Sequence, residues 1–70
     1  MKKKIKIEKT ESGKEYITIY EVRVITKNGK RITYERFVNK KDAEQEIEFI
    51  LDNMQNLYTH AWLMQFMAWI

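Results

Sequence analysis

Between Tyr16 and Thr26, and again between Arg31 and Val38, β-branched and aromatic residues alternate with charged ones at Glu21, Arg23, Glu35 and Arg36. That period of two is the mark of half-buried strands. A shorter run of the same kind, Ile5 to Lys9, precedes them. Ser12-Gly13 and Asn28-Gly29 stand between the runs, and Asn-Gly is the strongest short hairpin signal, because a type I′ turn needs φ > 0 at both central positions. Three strands in an antiparallel meander are therefore predicted.

Two-residue loops would set the register. Thr26 would face Arg31, with Val24 opposite Thr33, Val22 opposite Glu35 and Tyr20 opposite Phe37, while Ile5 would face Tyr20 and Ile7 would face Thr18. One face of the sheet then gathers Ile5, Ile7, Tyr20, Val22, Val24 and Phe37, the expected core. The other gathers Lys4, Lys6, Ile17, Ile19, Glu21, Arg23, Ile25, Ile32, Tyr34, Arg36 and Val38, with Glu21 and Arg36 as a cross-strand ion pair. Isoleucines and a tyrosine among arginines and lysines make a candidate binding surface, since large apolar patches with polar rims are rare on monomers. Its expected partner-binding residues are Arg23, Ile25, Ile32, Tyr34 and Arg36.

Beyond Val38 the pattern changes. Asn39 can accept from the backbone N–H groups of Lys41 or Asp42, and Asp42 and Glu44 suit the positive end of a helix. Ala43, Ile47, Ile50, Met54, Leu57, Ala61, Met64 and Ala68 recur at spacings of three and four, a heptad-like stripe running towards the C-terminus. The fold class read from these signals is α+β: a three-stranded antiparallel meander followed by one C-terminal helix, βββα. After Asp52 only His60 carries a titratable group of ordinary range, and from Ala61 onward apolar residues surround the helix axis. A continuous helix over 40–70 would be roughly 45 Å long at ~1.5 Å per residue, whereas strands of eight residues span only about 27 Å. Its overhanging end would need a second copy of the chain, so self-association as a dimer is expected through Leu57, Ala61, Trp62, Met64, Phe66 and Trp69. A break near Asn53 to His60, where helix formers are weak, would instead fold a second short helix back onto the sheet.

Composition narrows the function classes. Seventy residues allow one domain with a small core. Residues 1–39 carry eleven Lys and Arg against five Glu, and residues 40–70 two Lys against five Asp and Glu, so a basic sheet half precedes an acidic, then apolar, helix half. The absence of cysteine excludes disulfides, thiolate metal sites and cysteine nucleophiles. Lys2 to Lys4 lead into Ile5-Lys6-Ile7-Glu8 rather than an apolar run, which speaks against a signal peptide and for a cytoplasmic protein. The apolar stretch Ala61 to Ile70 is about half of the ~20 residues that a spanning helix needs. His60 has no partner that marks a catalytic pair, the glutamates at 44, 46 and 48 do not share one helix face, and no phosphate-binding loop or HExxH motif is present. No catalytic residue, metal site or cofactor is therefore expected.

Tyr20 to Val24, Gly29-Lys30-Arg31 and Phe37 to Ala43 together resemble the AP2-like arm-type DNA-binding domain of tyrosine integrases. The resemblance covers residues 16–50 and implies a three-stranded sheet whose face enters the major groove, with Arg23, Arg31, Tyr34 and Arg36 approaching DNA. Lys4, Lys6, Arg23, Arg31 and Arg36 are the cations of that alternative. In general style the chain also resembles small accessory proteins of phages and mobile elements, some of which inhibit host defence proteins by occlusion. The leading expectation is a non-enzymatic protein-binding module, acting in the host cytoplasm if phage-encoded, with Tyr34, Arg36, Trp62 and Trp69 as anchors.

Overall fold

A computed structural model describes residues 5–70. Its elements are β1 (Glu8–Lys9), β2 (Glu15–Thr26), β3 (Arg31–Phe37), α1 (Lys40–Asn53) and β4 (Tyr58–Trp69). The class is α+β as expected, but the order is βββαβ: the chain ends in a strand, not a helix. β2 is central. β4 pairs antiparallel with it from Tyr16 to Thr26, and β3 pairs with it from Tyr20 to Ile25. Because β4 fills one edge of β2, the short β1, opposite Glu15 and Tyr16, lies on the edge that β3 also uses. β3 and β4 run parallel to each other with β2 between them, so the connection has to cross the sheet. α1 makes that crossing and covers one face.

Two turns of nearly identical sequence set the register. Thr10-Glu-Ser-Gly-Lys14 and Thr26-Lys-Asn-Gly-Lys30 both close three-residue loops: the Thr N–H donates to the Lys carbonyl (2.9 Å in each), and the Gly N–H donates back to the Thr carbonyl. The Lys N–H donates to the threonine hydroxyl, at 3.2 Å in the first and 3.1 Å in the second. Gly13 and Gly29 both take φ 85°, the left-handed position that this loop type reserves for glycine. The expected two-residue loops are thus corrected, and each register slips by one residue. Glu8 faces Tyr16, and Ile5 and Ile7, expected in the core, are more than half exposed. Arg31 faces Ile25 and Ile32 faces Val24.

A bulge in β3 reverses the slip. Thr33 pairs with Arg23 and Glu35 with Val22, leaving Tyr34 as the extra residue, so Glu21 and Arg36, and Tyr20 and Phe37, are paired as predicted. Ile32, in the slipped stretch, and Tyr34, at the bulge, both change face. Tyr34 packs against the core, where its hydroxyl donates to Glu46 Oε2 at 3.4 Å and its ring meets Tyr58 edge-on, 5.8 Å between centroids.

The core is small: Val22 and Val24 from β2, Ala43 and Ile50 from α1, flanked by Tyr20, Tyr34, Phe37, Ile47, Met54, Tyr58, Ala61 and Leu63. The first half of the heptad-like stripe, Ala43 to Met54, is the buried stripe of α1. The helix starts where the sequence places it, with the Asn39 side chain accepting from Lys41 N–H at 2.9 Å and Asp42 N–H at 3.3 Å. Asn39→Ala is expected to cost about 1 kcal/mol of stability, read as a lower urea midpoint with an unchanged slope.

α1 stops at Asn53 without glycine or proline. The side-chain amides of Asn53 and Gln55 donate to the carbonyls of Phe49 and Leu51, and Leu57 and Tyr58 N–H both return to the Met54 carbonyl. The Gln55 side chain thereby takes the Leu51 carbonyl that a longer helix would give to the Gln55 N–H. The twelve residues from Tyr58 then match the length of β2, and Tyr, Thr, Trp and Phe are better strand formers than helix formers.

Candidate binding surface

With α1 on one side, the opposite face of the sheet is left open among the described residues. β2 presents Ile17, Ile19, Glu21, Arg23 and Ile25 there. Their partners on β4 are Ala68, Phe66, Met64, Trp62 and His60, and β3 adds Arg36, Thr33 and Arg31. β4 carries no Asp, Glu, Lys or Arg; its half of this face includes His60, whose Nδ1 lies 3.0 Å from the Thr59 hydroxyl.

Glu21 sits in the middle of this open face, yet its side chain is only 7% exposed. Arg23 Nη1 donates to its Oε2 at 2.7 Å, and Arg36 Nε donates to its Oε1 at 2.8 Å. Arg23 Nη1 also reaches the Thr33 hydroxyl at 3.3 Å, and the Arg36 guanidinium lies 5.9 Å from the centre of the Phe66 ring. The carboxylate is screened by a thin layer of its own partners rather than by depth. Its pKa is held below the ordinary carboxylate value by the hydrogen bonds from Arg36 and then Arg23, which outweigh the opposing effect of burial. Each carboxylate oxygen has one guanidinium, so Glu21 is fully paired and the cluster keeps a net charge of +1.

Several expected site residues are brought together on this face and others are not. Arg23, Ile25 and Arg36 lie on it; Ile32 and Tyr34 do not. The tyrosine belongs to the core side, where burial first and Glu46 second push its hydroxyl above the ordinary tyrosine value. Of the expected self-association residues, Leu57 lies in the turn before β4, Trp62, Met64 and Phe66 are on the open face, and Ala61 and Trp69 are on the helix side, Trp69 edge-on to Tyr16 at 5.7 Å. The overhanging helix end that was to unite them is replaced by β4. Arg31 is on the open face; Lys6 is exposed near Glu8, with Nζ 4.0 Å from its carboxylate, and Lys4 lies outside the described residues. Ile17, Ile19 and Ala68 complete the apolar part; the two isoleucines fall on this face as the alternation of β2 predicts, and Ala68 reaches it through β4.

Among the described residues no three His, Asp or Glu side chains are grouped closely enough to hold a metal ion, and no helix is long and apolar enough to cross a membrane. Comparison with known protein families, with curated proteins and with solved structures finds no match for this chain.

Proposed function

We propose that this chain is a small non-enzymatic binding protein whose open sheet face docks on a larger protein and occludes a surface there, as an inhibitor of the phage or mobile-element accessory kind acting in the host cytoplasm. The open face carries this reading. It is a continuous surface of Ile, Trp, Met and Phe around a compact Arg23–Glu21–Arg36 cluster, and aromatic residues, Met and Arg are the side chains enriched at protein interfaces. The alternative is the sheet-to-major-groove mode that the integrase-like resemblance implies. Against it stands the charge arrangement: the two central arginines are already committed to Glu21, and β4 offers phosphates no cation.

The double variant Ile17→Lys/Ile19→Lys separates the readings, because its effects have opposite signs. On the protein-docking reading it abolishes capture of the partner that the wild-type chain takes from host lysate, and that wild-type capture persists at high salt. Added lysines would instead strengthen duplex DNA binding. Wild-type binding to duplex at low salt that falls steeply with added salt, and tightens in the double variant, would replace the protein reading with the DNA one.

A further inference from the structure

The outer edge of β4 is built to pair with itself. Ile70 N–H donates to the Glu15 carbonyl at 3.1 Å, which makes those two a hydrogen-bonded pair. Counting back along the register, the even-numbered residues of β4 from 60 turn their amides and carbonyls to β2. The odd-numbered Ala61, Leu63, Gln65, Met67 and Trp69 turn theirs outward, where no strand among the described residues meets them. The two outer edges of the sheet differ. β3 defends its edge with Arg31, Glu35, Arg36 and the bulge at Tyr34, the usual protection against strand addition. β4 has no charge and no proline, and its bulge lies at its very start, between the partners of Ile25 and Thr26.

We infer that the occupant of this edge is a second copy of the chain, added antiparallel about a two-fold axis at Gln65. The sequence from Ala61 to Trp69 is complementary to its own reverse in size. Centring on Gln65 sets Ala61 against Trp69, Trp62 against Ala68, Leu63 against Met67 and Met64 against Phe66, small or slender residues facing broad ones, with the two Gln65 amides side by side. All five outward-facing residues of each strand then find partners. A two-fold at Leu63 would leave Trp69 unpaired and bring Met67 onto the bulged Thr59. Met64, Phe66, Met67 and Trp69 are 40–57% exposed in the single chain, and this register gives each a cross-strand neighbour. Leu51, 46% exposed on the flank of α1 away from Glu46, stands on the same side as this edge. The joined sheets place two open faces in one plane, so this dimer deepens the proposed function by doubling its docking surface.

Sedimentation velocity on the full chain at micromolar concentration tests the dimer. The wild type is expected at twice the 8.6 kDa of one chain. Gln65→Lys and Gln65→Glu each place like charges face to face at the axis and shift the protein to monomer, with unchanged far-ultraviolet circular dichroism. Mixing the two restores the dimer as a heterodimer. A monomeric wild type, or a dimer indifferent to Gln65→Lys, overturns the inference. So does a mixture that stays monomeric. None of these results touches the open-face reading, which Ile17→Lys/Ile19→Lys tests without altering β4.

Discussion

Ile50→Ala is expected to leave the chain largely unfolded at room temperature. Ile50 is 1% exposed and the largest of the fully buried side chains, and it joins α1 to Val22 and Val24 of the central strand. Removing most of a buried isoleucine costs about 2–5 kcal/mol, part transfer free energy and part cavity. A domain of this size has only ~3–5 kcal/mol from its core to lose, and with four buried apolar residues there is no neighbouring layer to collapse into the void. Far-ultraviolet circular dichroism and urea titration read the outcome. Glu44→Ala, on the exposed side of the same helix, is the control and stays within about 0.5 kcal/mol of wild type. A cooperative transition for Ile50→Ala at the wild-type midpoint would show that the helix is not docked on the sheet in this way.

The sheet face that α1 covers was readable because β2 is amphipathic enough to show its period. Val22 and Val24 fall on one side, Glu21 and Arg23 on the other, and Asn39 marks the start of the covering helix without ambiguity. The register was readable only where a bulge cancels an error. The glycine of Asn28-Gly29 pointed correctly to a residue with positive φ, but Thr26 and Lys30 draw the loop out to three residues through the threonine hydroxyl. The parallel in the first loop, Thr-x-Ser-Gly-Lys against Thr-x-Asn-Gly-Lys, was the available signal for this. The slip removed Ile5 and Ile7 from the core and turned Ile32 over, and the bulge turned Tyr34.

The tail was misread for a different physical reason. A strand that is apolar on both faces has no period-two contrast, so Ala61, Met64 and Ala68 could be fitted to a three-and-four spacing equally well. What decides between the forms is tertiary. β2 offers an unpaired edge of the same length, and the side-chain amide of Gln55 takes the Leu51 carbonyl at the point where a longer helix would continue. Candidate-site residues therefore survive in identity more than in arrangement. Trp62, Met64 and Phe66 join Arg23 and Arg36 on one face because strand, not helix, carries them there. The expected Glu21–Arg36 pair is present, and Arg23, two residues along the same strand, completes it on the same face.

That cluster should set the sign of the chain's pH dependence. In the wild type the folded-state pKa of Glu21 is lowered by Arg36 and Arg23. The stabilisation is fully present above the ordinary carboxylate value of about 4.3 and is lost as pH falls through the lower, folded value. Arg23→Met/Arg36→Met removes both guanidinium groups and leaves burial as the remaining influence, which favours the protonated acid. The folded pKa then lies above the unfolded one. Stability is greatest below the ordinary carboxylate value and declines as pH rises through the folded value, so between pH ~4 and ~7 the double variant loses stability where the wild-type contribution of Glu21 is level. At neutral pH the double variant should lose about 2 kcal/mol, less than the ~3–5 of a deeply buried broken pair, because only a thin layer of side chains separates Glu21 from water. Adding Glu21→Met should recover most of that loss and remove the pH dependence, since an apolar trio of similar volume has no charge to leave unpaired. Urea midpoints for the three proteins across this range decide the matter. A double variant whose stability stays as level as that of the wild type with rising pH would mean that the two arginines rest beside Glu21 without holding its charge.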